Sequence, residues 1–137
     1  KYAFNKSHAA AYAVVSYQTA WLKRYYPLCF LAAVLNNRIT NADEVKNYVN
    51  YLNTINIKVL QPDINKSKTK FSIEGENLRF GLMAIKNVGE AAVESIIEER
   101  NKNGDFTDME DLLNRVSGVN INKRMIESMI KGGVFDE

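Results

Sequence analysis

The sequence is short of the residues that most enzyme sites are built from. A single cysteine, Cys29, rules out an internal disulfide and a cysteine metal cluster. It lies in an apolar stretch and is expected to be a buried thiol, which fits a reducing cytoplasm as the location. His8 is the only histidine, so no histidine metal cluster or catalytic pair of histidines exists. Residues 1–42 hold no Asp or Glu at all. The apolar runs, such as Ala9 to Val15, are far too short to span a bilayer, and no membrane partner is expected. No glycine-rich loop of the nucleotide-hydrolysing type is present. Asp108 and Asp111 stand at helical spacing, but capping and solvation account for them better than a two-metal site does. No metal site and no complete active site can be read from these residues.

What is present has the balance of a soluble globular protein, 46% apolar and 25% charged over 137 residues, enough for one domain or two small ones. The net charge of +2 hides an asymmetry. Lys1, Lys6, Lys23, Arg24 and Arg38 stand in the acid-free first part, whereas from Gly81 onward seven Lys or Arg face eleven Asp or Glu. Ends of opposite sign point to two jobs, or to two faces of a larger body, with the basic end suited to phosphate. The first residue is not Met, and the chain is expected to be a piece of a longer protein.

Helical signals dominate. Ser7 is placed to cap a helix from about His8 to Arg24, with Ala10, Val14, Tyr17 and Trp21 on one face and Ala11, Val15 and Leu22 on a second. A helix apolar on most sides is expected to be buried on most sides. Pro27 opens a second helix with a stripe of Leu28, Leu31, Ala32 and Leu35. Asn41 and Glu44 form a capping box for a third, whose core face is Val45, Tyr48, Val49 and Leu52. Ile57 and Val59 suggest a short strand ended by Pro62, and polar residues 63–70 a loop. Alternation at Phe71 and Ile73, then at Leu78, Phe80 and Leu82, predicts a β-hairpin turning near Glu74 to Asn77. A helix follows Gly89 and stops at Gly104; Thr107 with Glu110 opens a short one. Asn120 or Asn122 caps a last one carrying Ile126, Met129 and Ile130 and ended by Gly132 and Gly133.

The chain is organised around Lys86-Asn87-Val88-Gly89, a turn between a short apolar segment and the helix that begins at Glu90. Gly89 marks a place where the backbone bends sharply or comes close to something else. A glycine turn feeding a helix leaves outward N–H groups at the positive end of the helix dipole, a site for one phosphate, with Lys86 as a mobile cation beside it. This resembles the hairpin of a helix-hairpin-helix motif, which grips nucleic-acid backbone without reading bases. A helix cap, a turn and a core helix without any ligand explain the same residues. A second candidate is the helix start at Asn5, Lys6, Ser7 and His8, all able to donate hydrogen bonds to phosphate oxygens, with Tyr12 one turn beyond His8 to stack on a base or sugar. A capped core helix with a satisfied histidine is the alternative there.

The run Tyr2-Ala3-Phe4-Asn5-Lys6-Ser7-His8-Ala9-Ala10-Ala11-Tyr12-Ala13, then Tyr17-Gln18-Thr19-Ala20-Trp21-Leu22-Lys23 and Tyr26-Pro27, closely resembles the alpha subunits of bacterial DNA polymerase III, the family C replicative polymerases. The resemblance continues in order through Ile57 to Asn65 and Phe80 to Gly89, and ends in Ile126 to Asp136. A somewhat long link at Ser117-Gly118-Val119 is the one small departure. It implies a mainly α chain with a small β-hairpin, in which residues 1–40 end the polymerase fingers and residues 41–137 form the helix-hairpin-helix region. Asn5, Lys6, Ser7, His8 and Tyr12 would then lie toward an incoming deoxynucleoside triphosphate, and Lys86, Asn87, Val88, Gly89 and Glu90 against duplex DNA. The palm, with the aspartates that hold Mg, is absent from this sequence, so no cofactor is expected here. Other domains of the polymerase are implied partners. The competing reading is a helical scaffold whose hairpin docks a protein; a repair enzyme with the same hairpin fails for want of catalytic groups.

Overall fold

The computed structural model describes residues 5–116 and 121–136, so the predicted link at 117–119 and the possible cap Asn120 lie outside the described residues. Among the described residues there are six helices and one small sheet. Helix α1 spans Lys6–Tyr25. Its cap is Asn5, not Ser7: the Asn5 side-chain oxygen accepts the Ser7 amide at 3.1 Å and the Ser7 hydroxyl at 2.6 Å. Asn5 keeps extended backbone (φ −70°, ψ 115°) while Ser7 is already helical, and only the extended residue can reach forward to cap. The expectation of burial fails for the whole helix, because no residue of α1 is buried.

Pro27 stands at the first position of α2, Pro27–Asn37, as read from the sequence. Leu31, Ala32 and Leu35 are buried and Leu28 packs beside them, whereas Cys29 is exposed, which corrects the buried thiol. One residue on from Leu28 is about 100° around the helix, enough to turn Cys29 off the buried stripe. Helix α3, Ala42–Thr54, has the predicted cap. The Asn41 oxygen accepts the Glu44 amide at 3.2 Å, and the Asn41 amide group donates to the Glu44 carboxylate at 3.0 Å.

Strands β1 (Val59–Leu60), β2 (Ser72–Glu74) and β3 (Asn77–Arg79) form a sheet in the order β1-β3-β2. The β2–β3 hairpin is the predicted one, with Glu74 opposite Asn77 and Gly75 at φ +61° in the tight turn. The parallel pairing of β1 with β3 was not legible locally. Leu82 leaves the strand for a single 3₁₀ turn, Leu82–Ala84. Helices α4 (Glu90–Asn103), α5 (Met109–Arg115) and α6 (Lys123–Lys131) follow. The cap of α5 is Asp108 with Asp111, one residue beyond the predicted Thr107 and Glu110: the Asp108 carboxylate accepts the Asp111 amide at 2.8 Å. Asn122 caps α6 as one of the two expected residues. Met125 and Met129 face its core, and Ile130 is exposed instead of buried.

Among the described residues, two apolar clusters form the core. One joins α2, α3 and the sheet through Leu31, Leu35, Val45, Leu52, Phe71 and Leu78. The other joins the 3₁₀ turn to α4, α5 and α6 through Leu82, Val93, Ile96, Leu112, Met125 and Met129. Residues 61–70 run between them as an ordered loop. The buried Asp63 carboxylate accepts the amides of Asn65 and Lys66, both at 2.7 Å, and Arg100 of α4 donates to the carbonyls of Ile64 and Ser67 at 2.6 and 2.8 Å. Burial lowers the pKa of Arg100, with the charges of Asp105 and Asp63 opposing that shift. Arg79, also buried, forks onto Glu74 at 2.8 and 2.7 Å and donates to the Gln61 carbonyl at 2.8 Å. Gly81 lets the incoming strand cross this loop: a Cβ there would lie 2.4 Å from the Lys70 carbonyl carbon.

Candidate nucleic-acid interface

Leu82 and Val88 anchor the hairpin in the α4–α6 core from its two sides, and Lys86, Asn87, Gly89 and Glu90 are left exposed between and beyond them. Val88 is buried and its amide donates to the Ile85 carbonyl at 3.2 Å, so the side chain of this predicted contact residue belongs to the core. The bend is made by Asn87, at φ 64°, and not by Gly89, whose φ −89° and ψ 150° suit any residue. Asparagine tolerates the left-handed region better than most side chains. Of the two reasons for a glycine at position 89, sharp bending is therefore removed and close approach remains. Nothing among the described residues makes that approach, since a Cβ on Gly89 would meet none of their atoms within 4 Å.

Gly89 is also the N-cap of α4 and has no side chain to cap it. Asn5, Asn41, Asp108 and Asn122 supply side-chain caps to α1, α3, α5 and α6. The first bond at the α4 end runs from the Val93 amide to the Gly89 carbonyl at 3.1 Å, so the amides before Val93 point out of the helix start, where the dipole is positive. Glu90 places a carboxylate at the same end, leaving its backbone amide as the useful donor.

The fold adds two residues that no local signal revealed. Lys86, Asn87, Ser128, Lys131 and Gly132 line one hollow of about 410 Å³ with Ile85. The Asn87 amide group donates to the Ser128 hydroxyl at 3.0 Å, which in turn donates to the Arg124 carbonyl at 2.9 Å. Ser128 thus ties the left-handed residue to α6, and Lys131 brings a second cation to the Lys86 side. Ser128 lies 41 residues along the chain from Asn87 and Lys131 lies further still, beyond the reach of any spacing rule.

The other predicted group sits at the start of α1. Asn5, Lys6, Ser7, His8 and Tyr12 are all exposed, and the His8 and Tyr12 rings stand one turn apart with centroids 4.6 Å distant, tilted by 50°. None of the five lines the hollow beside the hairpin. Among the described residues, no group of three or more His, Cys, Asp or Glu is placed to hold a metal ion. Asp108 serves as a cap, and Asp111 accepts the Thr107 amide and pairs with Arg115 at 3.0 Å, so neither offers a free metal ligand. No helix among the described residues is long and apolar enough to cross a membrane.

Comparison with known proteins agrees with the hairpin. Over 135 residues, 98% of this chain, the sequence is 48% identical to DNA polymerase III subunit alpha of Borreliella burgdorferi and 47% identical to that of Deinococcus radiodurans. Identity to the Thermus aquaticus subunit is 46% over the same length. The chain spans only 12%, 10% and 11% of the lengths of these three relatives. The model of the helix-hairpin-helix motif matches residues 56–137, which include the sheet, the turn at Gly89 and α4 to α6. The chain thus belongs to the helix-hairpin-helix family, and it matches one segment of the DNA polymerase III alpha subunit.

Proposed function

We propose that this chain is a DNA-gripping segment of a DNA polymerase III alpha subunit, serving DNA replication in the bacterial cytoplasm. The observation that carries the reading is the empty space at Gly89 in front of an uncapped helix start. A phosphate of duplex DNA fits there, against the amides of Gly89, Glu90 and Ala91 and within reach of Lys86. The helix dipole contributes about 0.3–1 kcal/mol, and each charge-assisted hydrogen bond about 1.5–3 kcal/mol. Such contacts set position and carry no base information, so binding is weak and indifferent to sequence. Asn87 holds the turn through Ser128, and Lys131 adds charge at the rim.

Residues 1–40 complete the fingers in this reading, and residues 41–137 hold the duplex. Lys6, with the donors of Asn5, Ser7 and His8, faces the triphosphate of the incoming nucleotide, and Tyr12 offers a ring to its base or sugar. Magnesium and the groups that hold it belong to the rest of the polymerase in this reading. The segment positions its substrates and does not extend a primer by itself.

NMR shift mapping with a short duplex tests the DNA part. Shifts centred on the amides of residues 86–91 are expected. Shifts absent from that turn, with a protein partner protecting it instead, would put the helical scaffold in its place.

A further inference from the structure

Lys70 is an exposed cation on a backbone that is held at several places. Asn36 of α2 closes on the next residue, donating to the Phe71 carbonyl at 3.0 Å and accepting the Phe71 amide at 2.8 Å. The Lys68 and Thr69 carbonyls accept the amides of Leu82 and Met83, both at 3.0 Å, and the Gly81 backbone crosses against Lys70 itself. A charge on so fixed a backbone loses little chain freedom when it binds. The Lys70 side chain pairs with no carboxylate among the described residues. Three hollows lead from it to the hairpin and beyond. The first, of about 510 Å³, lies between α2 and Lys70, beside Asn36 and Asn37. The second, of about 380 Å³, opens after the end of α2, between Thr40 and the segment from Met83 to Val88. The third is the hollow that Lys86 and Lys131 share. Asn37 of the first stands two residues from Ile39 of the second, and the second and third have Ile85, Lys86 and Asn87 in common. No Asp or Glu lines any of the three.

We infer that these hollows form one track for the sugar-phosphate backbone, in which Lys70 holds a second phosphate of the duplex gripped at Gly89. The inference rests on that reading of the hairpin. Spacing supports it. The Met83 amide is bonded to the Thr69 carbonyl, and the three residues from Met83 to Lys86 span at most about 11 Å. The backbones of Lys70 and Lys86 therefore lie within roughly 20 Å of each other. A DNA strand carries one phosphate per about 3.4 Å of its axis, so Lys70 meets a phosphate up to about six positions from the one at Gly89. Charge chooses the occupant. Lys70, Lys86 and Lys131 stand along hollows without a carboxylate, which suits a polyanion that continues from the hairpin. Asp43 and Glu44 open α3 close to the middle hollow, and Arg38 pairs with Glu44, so the holding falls to the two ends of the track.

Fluorescence anisotropy of the chain with a labelled duplex of about twenty base pairs, followed over a range of salt, tests the track. Lys70→Ala should lower the slope of log affinity against log salt by about one, and Lys70→Ala combined with Lys86→Ala by about two. Lys102→Ala, at the far end of α4 from Gly89, should leave the slope unchanged. The bonds that fix the loop use no side-chain atom of Lys70, so circular dichroism of each variant should match the parent. A Lys70→Ala slope equal to the parent's, with Lys86→Ala still lowering its own, would overturn the track and leave the hairpin grip standing. An equal loss with Lys102→Ala would overturn it too, as a diffuse effect of net charge. Slopes that neither Lys70→Ala nor Lys86→Ala changes would overturn the track and the hairpin grip together.

Discussion

Replacing Gly89 separates the fold from the grip. Its backbone angles lie in the extended region, and a Cβ would meet nothing within 4 Å, so Gly89→Ala enters the folded chain without a clash, and circular dichroism checks the same for Gly89→Val. A side chain restricts the unfolded chain, which favours folding by about 0.4–1 kcal/mol, whereas an apolar N-cap costs a similar amount. Melting and urea curves should therefore stay within about 1 kcal/mol of the parent. Binding should not. The added methyl groups occupy the space through which a phosphate reaches the amides, and losing one charge-assisted hydrogen bond of about 1.5–3 kcal/mol weakens the complex roughly 10- to 150-fold. Valine should do more harm than alanine. Fluorescence anisotropy with a labelled duplex at fixed salt, beside circular dichroism of the same samples, gives both readings. A folded Gly89→Val variant that binds duplex as tightly as the parent would refute the reasoning.

Three further outcomes are expected. Gly81→Ala should destabilise the chain by about 1–3 kcal/mol in urea melts, because its Cβ would press into the backbone of Lys70 and Phe71. Hydrogen bonds from Arg79 hold the Glu74 carboxyl below the usual carboxylate range, outweighing the opposing effect of burial. The folded chain thus binds fewer protons there, and the stability from this pair is present above the ordinary glutamate pKa and lost as pH falls through the folded value. Glu74→Gln should flatten that acid-side loss when stability is measured from about pH 3 to 7. In the full-length polymerase, Lys6→Ala should lower kcat/KM for nucleotide by about 1.5–3 kcal/mol while duplex affinity holds; the reverse pattern in steady-state kinetics would place Lys6 on the duplex.

Local chemistry made much of this fold legible. Pro27, the Asn41–Glu44 pair, Asn122 and Gly104 each act through neighbours a few residues away, and each does what its spacing predicts. The caps that shifted did so where several candidates stand together: Asn5 beside Ser7, and Asp108 beside Thr107. Composition cannot say which of two polar neighbours keeps the extended backbone. The burial errors have a different cause. Cys29, Ile130 and the whole of α1 are apolar by type, but which face is covered depends on what packs against it. The same holds at the hairpin. Its position was readable from Lys86 to Gly89, whereas the transfer of the bend to Asn87, the tie to Ser128 and the cation at Lys131 arise only when α6 folds back beside the turn.

The salt dependence of duplex binding tests the central claim most directly. A single hairpin with Lys86 and Lys131 at its edge neutralises only a few phosphates, so the slope of log affinity against log salt should be shallow, on the order of −2 to −4. Lys86→Ala should reduce that slope by about one, equally on unrelated sequences. A measurable slope that Lys86→Ala lowers on every duplex tried is the predicted result; an affinity that does not change with salt, or no duplex binding at all, would contradict the account.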